Sequence, residues 1–326
     1  MRRFAIRIGG RMSARRGGAR ETRGGRMRVL ALVVLMVLVT GCRSTAGRSP
    51  ADAGPGAVRS SAAPPGGPMV GTVPSADGVV IHYHVEGAGS PAVVLIHGWA
   101  CDASIWDGQV RELSPRYTVV TIDLAGHGRS GRDRATWSVA AFADDVRAVI
   151  EKLQLKRVVL VGHSMSGYVI LEVARLLPDR VTALVPVDTM QDVEWKPGEG
   201  LDAWMESMRA DFVSSTRTFV KEMFPETADP VLVERMASRM SAMPPEVGVA
   251  VLRAIFAYDK ATALSRVKQP IRAINSDKFP TRVDVNRRYA PQFEAVFVPG
   301  TGHFPMLENP DEFNRLLEQA IEDLAR

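Results

Sequence analysis

The residues best placed to do chemistry lie between Val158 and Gly167, in the run Val-Val-Leu-Val-Gly-His-Ser-Met-Ser-Gly. Four β-formers lead into Gly162, Ser164 stands two residues on, and the small Ser166 follows, which gives the pattern Gly-x-Ser-x-small. A serine at the tip of a tight strand-to-helix turn holds its hydroxyl clear of neighbours, where it can act as a nucleophile. The small flanks are needed because strand and helix pass within contact distance and side chains there would collide. Ser166 departs mildly from the usual second glycine. The amide of Met165, the residue after the serine, is one expected donor to an oxyanion.

A turn of this kind needs a sheet beneath it. Short apolar runs recur along the chain: Val79 to Val85, Ala92 to Ile96, Tyr117 to Ile122, Arg157 to Val161, Val181 to Val187, Ile271 to Ile274 and Phe293 to Val298. Several are continuously apolar, as central strands of a parallel sheet covered on both faces must be. Val139 to Leu153 and Glu312 to Leu324 carry apolar residues at helical spacing with charges between them. Strand and helix in alternation predict an α/β fold with a doubly wound, mostly parallel sheet over 71–326. Residues 190 to about 264 break the rhythm with helix-like segments rich in Trp, Phe and Met, and are expected to form an inserted helical cap.

The net charge of +5 misleads about partners. Ten arginines and one glutamate give residues 1–41 a charge of +9, so the remaining 285 residues carry −4, and nothing in the body points to nucleic acid. The leader ends in eleven apolar residues, Val29 to Val39, flanked by Arg26 and Arg28, too few to span a bilayer comfortably. It fits the apolar region of an export signal. Val39-Thr40-Gly41-Cys42 resembles the lipobox of bacterial lipoproteins, which implies lipidation of Cys42, export and tethering to a membrane of the cell envelope. Residues 42–70, dominated by Ser, Ala, Gly and Pro, are expected to be a disordered tether. Cys42 and Cys101 are the only cysteines, so an acylated Cys42 leaves Cys101 without a disulfide partner.

Three further motifs accompany the serine turn: His97-Gly98-Trp99 after one apparent strand, Asp123-Leu-Ala-Gly-His127-Gly-Arg129-Ser130 after the next, and Gly302-His303 before the last helix. In this order and spacing they resemble the α/β-hydrolase superfamily, over residues 72–326 and most strongly over 92–170 and 270–320. The resemblance implies that Ser164 is the nucleophile and that His303 is the general base. A free histidine titrates near neutrality, so it can take and return a proton. The Trp99 amide is the implied second oxyanion donor beside Met165.

The orienting acid stays open. Relatives usually place it after the strand here written Pro270 to Ile274, but Phe279 occupies that position, and Asp277 serves only if the turn is tighter. Asp188, at the end of Val181 to Val187, matches relatives that draw the acid from the preceding strand. The implied activity is cleavage of a carboxylic ester, lactone or thioester with a small to medium apolar acyl group, through an acyl-enzyme. Acyl transfer or perhydrolysis by the same residues, and ligand binding without catalysis, are the alternatives. Ala100 and Cys101 after Trp99, in place of the proline of many perhydrolases, weaken the perhydrolysis alternative. No residue spacing fits a metal site or a phosphate cradle, and no cofactor is implied.

Overall fold

The computed structural model describes residues 67–325. Eight strands form one sheet: β1 (Met69–Pro74), β2 (Val80–Glu86), β3 (Ala92–Ile96), β4 (Thr118–Asp123), β5 (Val158–His163), β6 (Val181–Val187), β7 (Ile271–Ser276) and β8 (Phe293–Val298). Their order is β1-β2-β4-β3-β5-β6-β7-β8. Only the β1–β2 and β2–β4 pairs are antiparallel, and the rest of the sheet is parallel. The expected α/β doubly wound sheet is therefore observed. Every residue of β3 and β5 is buried, which is why those strands read as unbroken apolar runs.

Edge strand β1 was not foreseen. It begins at Met69, inside the stretch expected to be tether, and its alternation of half-buried and exposed residues is too short, with Gly71 and Pro74, to stand out by composition. Residues 42–66 of that stretch, with Cys42, and the leader before them lie outside the described residues.

Eleven helices cover the described sheet and its carboxyl edge: α1 (Asp107–Leu113), α2 (Val139–Lys152), α3 (Ser166–Leu176), α4 (Leu201–Ala210), α5 (Phe212–Met223), α6 (Pro230–Ser241), α7 (Pro245–Phe256), α8 (Lys260–Ser265), α9 (Val283–Tyr289), α10 (Pro305–Glu308) and α11 (Pro310–Leu324). The Ser138 hydroxyl caps α2 by accepting the Ala141 amide at 3.0 Å. Phe142, Val146, Val149 and Ile150 are the face that this helix buries. Five helices, α4 to α8, separate β6 from β7. They share a buried interior of Met208, Phe212, Val220, Met236, Met240 and Val251. No helix among the described residues is long and apolar enough to cross a membrane.

Candidate active site

The parallel strands all end on one edge, and the residues with chemistry stand just past those ends. β5 runs out at His163 and the chain turns at Ser164, whose φ of +55° is a left-handed conformation costly for a residue with a Cβ. The turn is held by the Ser164 amide, which donates to the Val187 carbonyl at 2.9 Å. Gly162 is required by contact: a Cβ there would stand 2.3 Å from the Ser166 carbonyl oxygen. Ser166 tolerates its side chain because its hydroxyl donates to the His97 carbonyl at 2.5 Å, tying the helix start to the loop after β3.

His303 lies in the loop between β8 and α10. Its Nδ1 is 2.6 Å from Asp188 Oδ2 and its Nε2 is 2.9 Å from Ser164 Oγ. Asp188 follows β6 with φ +44° and is 1% exposed. Its other oxygen, Oδ1, accepts the Ser276 amide at 2.9 Å and the Ser276 hydroxyl at 2.8 Å. Burial pushes the Asp188 carboxyl up, but the hydrogen bond and charge of His303 and the two Ser276 donors together hold it below its ordinary value. An ionised Asp188 can only accept, so His303 donates through Nδ1–H and leaves Nε2 free to accept the Ser164 hydroxyl proton.

The two candidate acids are thus separated. Asp277 is exposed, and both its oxygens accept the Gly300 amide, at 3.0 and 3.1 Å. β7 ends at Ser276, which faces Asp188, so the chain has already turned outward at 277 and its carboxylate meets the loop after β8 instead of the imidazole. Phe279, which holds the family's usual acid position, stands edge-on to the His303 ring at 6.5 Å between centroids.

The Trp99 and Met165 amides donate to no described residue, and Met165 is the N-cap of α3, where unpaired N–H groups and the helix dipole favour negative charge. The Trp99 side chain is fastened to α7 by its indole N–H, which donates to the Gly248 carbonyl at 2.9 Å. His97 is fully buried. Its Nδ1–H donates to the Gly98 carbonyl at 2.8 Å and its Nε2 accepts the Leu124 amide at 3.1 Å. Desolvation depresses its basicity, so it stays neutral and braces the loop. Cys101 is buried as well, and burial followed by the charge of Asp102 pushes its thiol up to about 12, which leaves no thiolate for chemistry.

Two residues near His303 carried no sequence signal. His163, the variable position of the serine motif, donates from Nε2 to the His303 carbonyl at 2.7 Å. Glu308 accepts the amides on either side of His303, Gly302 at 2.8 Å and Phe304 at 2.9 Å. Both contacts fall on backbone atoms, which sequence patterns do not register.

Comparison with known proteins finds relatives over most of the chain. The chain is 31% identical over 255 residues to karrikin insensitive 2 receptor CA of Petunia hybrida, covering 72% of this chain and 94% of that one. It is 30% identical over 246 residues to the pimeloyl-[acyl-carrier protein] methyl ester esterase of Nitrosomonas europaea, covering 71% and 96%. A solved N-acyl homoserine lactone degrading enzyme superposes with a TM-score of 0.68 at 26% identity, covering 76% of this chain and 99% of the other. The profile of the Alpha/beta hydrolase family matches residues 93–316, well over half of the sequence and, from within β3 to within α11, every residue of the site, and the chain belongs to that family.

Proposed function

We propose that the protein is a serine hydrolase that cleaves carboxylic esters or lactones through an acyl-enzyme. The carrying observation is the continuous line of hydrogen bonds from Ser164 Oγ through the His303 ring to buried Asp188. The Ser164 oxygen attacks the acyl carbonyl carbon while His303 Nε2 takes its proton. The resulting oxyanion is stabilised by the Trp99 and Met165 amides. Collapse expels the alkoxide, which leaves as the alcohol with the proton from His303. Water, deprotonated by the same nitrogen, then attacks the acyl-enzyme and releases the acid and Ser164.

The relatives named as a methyl ester esterase and as a lactone degrading enzyme support an ester or lactone substrate. The aromatic groups gathered around Trp99, with Phe212 at 6.0 Å and Phe219 at 6.2 Å, favour a small to medium apolar acyl group. Acyl transfer and perhydrolysis would use the same residues and differ in what reaches the acyl-enzyme. The relative named as a receptor favours a second reading, in which the same fold retains a ligand without turnover.

Hydrolysis of p-nitrophenyl acetate and butyrate by the detergent-solubilised full chain, with Ser164→Ala beside it, separates these. Turnover should vanish in the variant, and equal rates for both proteins would overturn the hydrolase reading. The reading also has the mature chain exported and held at the cell envelope by a lipid on Cys42, with residues 1–41 removed as signal, a tether before β1, and a hydrolase domain capped by residues of about 190–264. Cys42→Ser should move the protein from the membrane fraction to a soluble exported pool, and a variant that stays with membranes would refute the anchor.

A further inference from the structure

We infer that His163 is a positioning residue, whose imidazole N–H sets the register of the base loop against the nucleophile turn. This rests on the hydrolase reading above. His163 is the residue before Ser164, and its ring lies 4.8 Å from the His303 ring and 5.1 Å from Phe304, between centroids. The bond from Nε2 to the His303 carbonyl joins positions 140 residues apart in sequence. Because the carbonyl can only accept, Nε2 must carry the proton, and Nδ1 is a bare lone pair with no partner among the described residues.

The opposite side of the same ring faces the loop after β3. A Cβ on Gly98 would stand 2.7 Å from His163 Nδ1 and 3.0 Å from Ser164 Cβ, so glycine is what lets that loop approach. One neutral ring therefore touches the turn that carries the nucleophile, the loop that carries the base and the loop that carries an oxyanion donor. The rest of the base loop is pinned around it. The His303 amide donates to the Met223 carbonyl at 2.9 Å, and Glu308 takes the two flanking amides. The His303 carbonyl of this stretch takes its hydrogen bond from His163.

Neutrality is part of the role. Burial first, and then the neighbouring His303, holds the His163 ring down to about 3, so it does not compete for the catalytic proton. A cation there would face the base and would need an acceptor at Nδ1 that the Gly98 backbone does not supply.

Three substitutions test the assignment because they differ in where a donor sits. In His163→Gln the amide nitrogen can take the place of Nε2. In His163→Asn it reaches only the place of Nδ1. His163→Phe keeps the ring's packing and removes both nitrogens. The readouts are kcat and KM for p-nitrophenyl butyrate, and the low-field proton resonance of the His303 Nδ1–H to Asp188 hydrogen bond. Phe and Asn should lower kcat by ~10²-fold, the scale expected when a reacting group is misplaced by about 1 Å. KM should hold, and the low-field resonance should broaden or disappear. Gln should recover most of the rate and the resonance. Parental kcat in His163→Phe, or Gln and Asn equally impaired, would overturn the assignment. Full turnover in Ser164→Ala would instead overturn the hydrolase reading on which it rests.

Discussion

At the scale of single residues, the site turns on which carboxylate faces His303. Asp188 is buried, left-handed in backbone and fed by Ser276, whereas Asp277 is exposed and engaged by the Gly300 amide. Asp188→Asn keeps the volume but offers an amide, which favours the wrong histidine tautomer, and kcat for p-nitrophenyl butyrate should fall by ~10⁴, as in the best-studied serine triad. Asp277→Asn should leave kcat near the parent value. The reverse ranking would assign the acid to Asp277. The choice could not be made from sequence because chain position says where a loop begins, and both aspartates follow a strand at the same sheet edge. What separates them is the pairing of β6 with β7, which puts Ser276 beside Asp188 and turns the next residue outward. His163 and Glu308 were invisible for a related reason: each serves the backbone of a distant loop, and neither side chain belongs to a local pattern.

At the scale of elements, the strands were legible where burial on both faces leaves a continuous apolar run, as in β3, β5 and β6. The helices between β6 and β7 were legible as a group of large apolar residues, but their contacts with the site were not. Trp99 shows why. Its indole N–H donates to a carbonyl 149 residues later, on α7, while its ring packs against Phe212 and Phe219 of α5. The residue whose amide is the proposed oxyanion donor is thus located by the helices above it as well as by the strand below. Trp99→Phe retains the apolar packing and cuts the link to α7. If that link sets the amide, kcat should fall by up to ~10²-fold, approaching the loss of one oxyanion donor, with the fold intact by circular dichroism. An unchanged kcat would show that the loop is held from the sheet side alone, through His97 and Ser166.

At the scale of the whole molecule, stability depends on polar groups taken into the core. The Arg134 and Asp145 side chains are at most 1% exposed, and Arg134 also reaches Asp77 at 2.7 Å, joining the β1–β2 turn to α2. His127 and His163 are buried and held neutral, with desolvation as the main cause in each and both rings down to about 3, and His97 is shifted in the same direction. Their ordinary value is 6.5. Between that value and about 3 the unfolded chain binds protons that the folded chain refuses, so stability must fall as pH falls below 6.5. One pH unit below, His127 and His163 each remove about 1.4 kcal/mol. Asp188 acts in the same sense but lower on the scale: its depressed carboxyl contributes stability above the unfolded carboxylate range, and that contribution is lost only as pH drops through its folded value. Asp145 and Glu308, raised chiefly by burial, oppose the trend, since the folded chain holds their protons more tightly. The histidine contribution is therefore best isolated by difference. Urea midpoints at pH 7 and 5.5 should show the parent losing stability over that interval, and His127→Phe, which keeps a ring against Phe142 but cannot titrate, should lose about one histidine's share less. Equal pH dependence in the two proteins would mean that the His127 ring takes up its proton inside the fold, opposite to what its burial against His97 and Phe142 requires.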